Sequence, residues 1–113
     1  MHADDLPSLA PDEGCCELIA GELVREPPPG QGHGSVAGAV LVHVGRFVLE
    51  RGLGKVYAAE TGFVLARDPD TVRCPDAAFV SAERLADAGG QGLYFEGAPD
   101  LAIEVLSPGN TAR

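Results

Sequence analysis

Two carboxylates stand where an apolar strand is expected. In CPDAAFV, residues 74–80, Asp76 opens a run that is otherwise Ala, Ala, Phe and Val; in DLAIEVLSP, residues 100–108, Glu104 lies between Ile103 and Val105. Strand periodicity puts Leu101, Ile103 and Val105 on one face and Asp100, Ala102, Glu104 and Leu106 on the other. Glu104 thus shares its face with Ala and Leu. An unpaired carboxylate buried there costs several kcal/mol or takes up a proton, so a cation or a strong donor is expected beside it. Two such strands side by side bring Asp76 and Glu104 around one ion. Hard oxygen ligands with open positions suit Mg²⁺ or Mn²⁺, which keep water and bind substrate phosphates directly. The chemistry would be phosphodiester hydrolysis, with water activated and charge at phosphorus offset by the ion. The plainer alternative sends Glu104 to a solvent edge and pairs Asp76 with Arg73.

Other residues carry weaker signals. Glu60, in AAETGF, is an accessory-ligand candidate contributed by the strand beside Asp76, or else an acid at a strand edge. Glu17 and Glu22 flank a turn and read as solvated charges. His33 reads as a cap or turn residue and His43 as a helix-face residue. GQGHG, residues 30–34, precedes a helix but lacks the lysine and Ser/Thr of a phosphate-binding loop. DPDTVRCPD imitates the start of a calcium loop until Val72 and Arg73 fall where an acid or Asn and a glycine are needed. Three cysteines and three histidines show no paired zinc spacing. A carboxylate-pair glycosidase would want aromatic platforms, and the chain has no Trp and only two Tyr.

Simple elements suffice to position the two acids. Residues 1–13 lack periodicity and are expected to be a flexible leader. ELIAGELVRE then reads as a β-hairpin with Gly21 at positive φ. Three prolines at 27–29 end any strand. Val36, Val40, Val44, Phe47 and Val48 recur at helical spacing and predict a helix over 35–51, ended by Gly52 or Gly54 and covered over most of its girth by a sheet. Strands are expected over Lys55–Leu65 with a break near Glu60, Cys74–Val80 and Leu101–Leu106. RDPDTVR between the first two is turn chemistry, and AERLADAGGQG is a short helix and a loop. The fold class is α+β: a hairpin, then one long helix on a mixed sheet, in a single domain spanning 14–113.

Composition sets outer limits. A chain of 113 residues, 45% hydrophobic and 22% charged, builds one core. No uninterrupted apolar run approaches the ~18 residues of a bilayer span, so no membrane partner is expected. The N-terminus lacks a basic region followed by an apolar stretch, which leaves a cytoplasmic location as the default. The odd cysteine count, with Cys15 and Cys16 adjacent, suggests reduced thiols. The net charge of −9 repels a polyanion at long range, so any nucleic-acid contact must be local and cation-mediated.

PDAAFV followed by DLAIEVLSP resembles the core of the PD-(D/E)XK nucleases. ELIAGEL, the HG opening of the helix and LSPGNTAR resemble the bacterial restriction-endonuclease-like family labelled domain of unknown function 820, of the Uma type, from about Glu17 to the last residue. The resemblance implies a restriction-endonuclease-like fold and divalent-metal-dependent cleavage of DNA. It makes Asp76 the acid of the PD motif, Glu104 the acid of the (D/E)XK motif, and the backbone carbonyl of Val105 a third ligand of Mg²⁺ or Mn²⁺. Leu106 stands where the superfamily has lysine. The family takes that lysine from the following helix, whereas the chain stops at Arg113, with the closing helix and strand missing and apolar surface left for a homodimer to cover. The alternative is a catalytically silent binding or dimerisation module on a nuclease fold.

Overall fold

The structure is a computed structural model that describes residues 1–8, 16–25, 30–88 and 92–106. It begins with a 3₁₀ turn, Ala3–Ser8, and a hairpin of β1, Cys16–Ile19, and β2, Glu22–Arg25. Ala20 and Gly21 both take positive φ, 51° and 83°, as a two-residue turn requires to match strand twist. Helix α1, Gln31–Arg51, follows, then β3, Gly54–Ala58; β4, Phe63–Ala66; β5, Thr71–Arg73; β6, Ala77–Ser81; helix α2, Ala82–Ala88; β7, Phe95–Glu96; and β8, Leu101–Ile103.

The strands form two sheets, β2-β1-β5-β4-β7 and β3-β6-β8. The larger is mixed, because β7 runs parallel to β4 while the other pairs are antiparallel. The α+β architecture with one long helix is as expected. The run Lys55–Leu65, however, divides at its glycine-containing turn into β3 and β4, which belong to different sheets. RDPDTVR is not turn throughout: Thr71–Arg73 is an inner strand of the larger sheet, with Val72 fully buried opposite Leu18. The polar residues around it concealed a central strand.

The buried apolar residues form two clusters. Leu18, Val64 and Val72 pack with Ala3 and Leu6 of the N-terminal turn. Residues 3–8 are therefore anchored rather than a flexible leader: burial of Ala3 and Leu6 holds them, and the Met1 amino group donates to the Gly21 carbonyl. Residues 9–13 of that expected leader lie outside the described residues. The second cluster bridges the two sheets: Phe63 of β4 with Ala78 and Val80 of β6, packed against Tyr57, Leu85 and Phe95, the three rings meeting edge to face or tilted.

Helix α1 starts four residues before the expected Ser35, at Gln31, with extended Gly30 before it. It ends as expected at left-handed Gly52, where the Gly52 and Leu53 N–H groups donate to the Leu49 and Val48 carbonyls. It lies on β3 and β6. The sheet covers only one stripe of it, with Gly45 and Val48 buried, while Val36, Val42, Phe47 and Leu49 face out. The expected covering of most of its girth is thus not met among the described residues. By length and composition α1 would also pass for a membrane span, contrary to the sequence expectation, although one face of it packs on the sheet of an α+β fold.

Candidate metal centre

Asp76 and Glu104 lie where the smaller sheet runs out. β6 pairs with β8 in the register Ala77↔Ile103, Ala78↔Ala102 and Phe79↔Leu101. One step further along both strands sets Asp76 opposite Glu104. Neither acid is inside its strand, as the sequence pattern placed them; each is the residue flanking a ladder end. A flanking position frees a side chain from the sheet face while keeping the cross-strand spacing, so the two carboxyl groups meet.

Asp76 is held from two sides. Its Oδ2 lies 3.1 Å from His33 Nε2 and accepts the Val105 N–H at 2.7 Å. Both contacts fall on Oδ2, and Oδ1 takes neither. Asp76 pairs with His33 rather than with Arg73, so the first turn of α1 supplies a wall of the site. His33 is mostly buried, and its Nδ1 has no hydrogen-bond partner among the described residues. The sequence suggested a cap or turn role for it; the α1 register instead aims it at Asp76.

Glu17 is a third acid at this place. It was read as solvated, yet it is buried on β1, where its Oε2 accepts the Cys74 N–H at 2.6 Å and lies 3.2 Å from Arg73 Nε. Its position in CELI, an acid among apolar neighbours, is the same signal that singled out Glu104. Segment 74–76 carries the chain from β5 in one sheet to β6 in the other. Glu17 on the larger sheet is thereby near enough for its charge to act on Glu104, although the ligand atoms of Glu17, Asp76 and Glu104 do not all lie within 4.8 Å of one another.

The crowding has an electrostatic result. The Glu104 carboxyl is pushed up to about 7, first by desolvation, then by the negative charges of Asp76 and Glu17 and by its hydrogen bond with Asp76, with Arg73 opposing. Glu104 is nevertheless exposed as a residue, so its neighbours crowd one side and water reaches the other. A group of acids that raises its own pKa suits a cation, because a divalent ion removes the repulsion that protonation now relieves. The donor set, carboxylate oxygens with a histidine behind one of them, fits a hard ion such as Mg²⁺ or Mn²⁺.

Glu60 is not brought in. It sits exposed at φ +69° in the turn after β3, and among the described residues no hydrogen bond or ion pair links it to Asp76 or Glu104. Val105 contributes its N–H to the site. A second group, His2, Asp68 and Asp70, has ligand atoms close enough for a metal. Asp70 Oδ2, however, already accepts the Ala3 N–H at 2.8 Å and faces Arg67 Nη1 at 3.2 Å, and Oδ1 accepts the Asp68 N–H. A cation would have to displace an arginine there, so this group is a latch for the N-terminal turn. Ser107 to Arg113, with most of LSPGNTAR, lie outside the described residues.

Comparisons with known proteins accord with this architecture. No curated protein matches. A crystal structure of a putative nuclease of domain-of-unknown-function family 820 from Anabaena variabilis superposes with a TM-score of 0.78 at 22% identity, over 98% of this chain and 61% of that one. The chain thus spans less than two thirds of that solved protein, and the likeness shows the fold. The profile of the Uma2 family, described as putative restriction endonuclease, matches residues 3–113, and the chain belongs to that family.

Proposed function

We propose that this chain is the metal-binding part of an endonuclease that hydrolyses DNA phosphodiester bonds with Mg²⁺ or Mn²⁺, held by Asp76, Glu104 and Glu17 with the Val105 backbone carbonyl as a further ligand. The observation that carries the proposal is the cross-strand opposition of Asp76 and Glu104, extrapolated from the β6–β8 register, with the charge of Glu17 acting on Glu104 from the other sheet. The family's description supports a nucleic-acid substrate. A bound divalent ion would supply Lewis acidity toward the phosphate and a more acidic water.

The chain's own groups do the rest. His33 and the Val105 N–H fix the Asp76 carboxylate through Oδ2. Arg73, half exposed beside Glu17, holds that acid in place and leaves guanidinium N–H groups facing solvent, where a phosphate oxygen can be met. Glu104 gives up its proton when the site fills. Leu106 is exposed and offers no cation, so Arg73 is the positive group nearest the acids. A cytoplasmic location and a homodimer belong to the same proposal, with the exposed apolar side of α1 as the surface a second subunit would cover.

The test measures Mn²⁺ binding by calorimetry and plasmid cleavage for the wild type, Asp76→Asn and Glu104→Gln. Loss of binding in both variants is expected, and unchanged affinity in both would end the proposal. Binding that survives without any cleavage would favour the second reading, a silent binding or dimerisation module, which the exposed Leu106 in place of a lysine also favours.

A further inference from the structure

The β1–β5 ladder opposes Leu18 to Val72. Continuing by one place sets Glu17 opposite Arg73, and their side chains do meet, at 3.2 Å. Continuing by one more sets Cys16 opposite Cys74, on the face that carries Leu18 and Val72. The Cys74 N–H donates to Glu17 Oε2 rather than to the ladder, so the strands are still in contact at this point. Both cysteines are half-buried thiols, and Cys16 packs against the larger sheet's core alongside Tyr94. Burial raises the Tyr94 hydroxyl, and Cys74 and Cys16 add to that rise. Directly opposed residues of antiparallel strands have Cα atoms about 4.5–5.5 Å apart, inside the span of about 4.4–6.8 Å that a disulfide needs.

We propose that Cys16 and Cys74 are a dithiol pair that a peroxide converts to an intramolecular cross-strand disulfide. One thiol sulfur attacks a peroxide oxygen, the O–O bond breaks, and a sulfenic acid and one water form. The second thiol then displaces the sulfenic oxygen as a second water, and the S–S bond closes. Both sulfurs are oxidised and the peroxide is reduced. The cross-link ties β1 to the segment that crosses between the sheets, hence the strand of Glu17 to the approach to Asp76. It follows from strand register, and it stands whether or not the acids bind metal.

The experiment exposes the folded chain to hydrogen peroxide, blocks remaining thiols with N-ethylmaleimide and digests with trypsin without reductant. Cleavage after Arg25, Arg73 and Arg84 puts Cys16 in peptide 1–25 and Cys74 in peptide 74–84. The expected product is these two peptides joined, lighter than their sum by two hydrogens. Because peptide 1–25 also contains Cys15, the deciding comparison is between Cys15→Ser, which should link as fast as the wild type, and Cys16→Ser, which should link roughly tenfold more slowly or worse because it lacks the thiol that the register sets opposite Cys74. Unfolding in guanidinium should erase that difference. Equal linking by the two folded variants, a difference that persists in the unfolded chain, or links only between molecules would each overturn the proposal.

Discussion

Asp70 directly precedes β5 and Asp76 directly precedes β6, and the two end in opposite situations. Asp70 meets Ala3 N–H, Asp68 N–H and the Arg67 guanidinium, which also binds Glu96. Its carboxyl is held below the usual range, chiefly by the Ala3 and Asp68 backbone donors. Asp76 meets a histidine and one N–H, and the Glu104 carboxyl opposite it, under the charges of Asp76 and Glu17, rises to about 7. Buried or half-buried acids therefore say little by themselves. Where donors outnumber charges the cluster is a clasp that stabilises the fold, and where charges outnumber donors, as the proposed function requires of Asp76 and Glu104, a cation would relieve the repulsion.

The largest expected effect separates the two places. Asp76→Asn should weaken Mn²⁺ binding by about 100-fold or more, since losing a ligand should exceed the roughly 10- to 100-fold cost of losing an outer hydrogen-bond partner. Plasmid cleavage should fall with it, and Asp70→Asn should leave Mn²⁺ affinity unchanged in the same titration. His33→Ala comes next, with about 10-fold weaker Mn²⁺ binding as Asp76 loses its orienting partner. Its melting temperature should hardly fall, because the substitution also removes a buried ring nitrogen without a partner. A large fall in stability with intact metal affinity would instead make His33 a structural residue. Asp70→Asn should lower the melting temperature by several degrees by releasing the N-terminal turn, and it should raise exchange of the Ala3 amide. A protected Ala3 amide in that variant would deny the clasp.

The sequence told these regions apart only partly, for physical reasons. Asp76 and Glu104 were legible because acids stand out against apolar strand residues, and register then joined them. Glu17 carries the same signal, but its place flanking the hairpin reads equally well as a solvated charge, and only the strand pairing shows it buried. The role of His33 depends on where α1 begins, and helix starts without a side-chain cap leave little mark: Gly30 supplies none. β5 was hidden because Thr71 and Arg73 are polar on one face, leaving Val72 as its single buried residue. The division into two sheets came from pairing, a long-range property that local periodicity does not encode. Glu60 sits exposed at positive φ in the turn after β3, a backbone conformation that alternation along a strand does not announce.

The smallest effect is the most diagnostic, because it has opposite signs at the two places. Glu104 holds its proton longer in the fold than its ordinary value of 4.5 allows, up to about 7. Between those values the folded chain keeps a proton that the unfolded chain has released. Its contribution to stability is therefore complete below 4.5 and is lost as pH rises through 7. Asp70, with its carboxyl lowered from 3.8, contributes above that value and loses its contribution as pH falls further. Denaturant melts of the metal-free chain should thus decline in stability from pH 4.5 to pH 8, and Glu104→Gln should flatten that arm while leaving the acid arm alone. The change should be modest, since Glu104 is open to water on one side and its interactions are screened. Mn²⁺ at pH 8 should restore the wild type and not the variant, because the ion replaces the proton as the neutralising charge. Parallel curves for the two proteins, with and without Mn²⁺, would mean that the acids are not coupled and that the contrast with Asp70 has another origin.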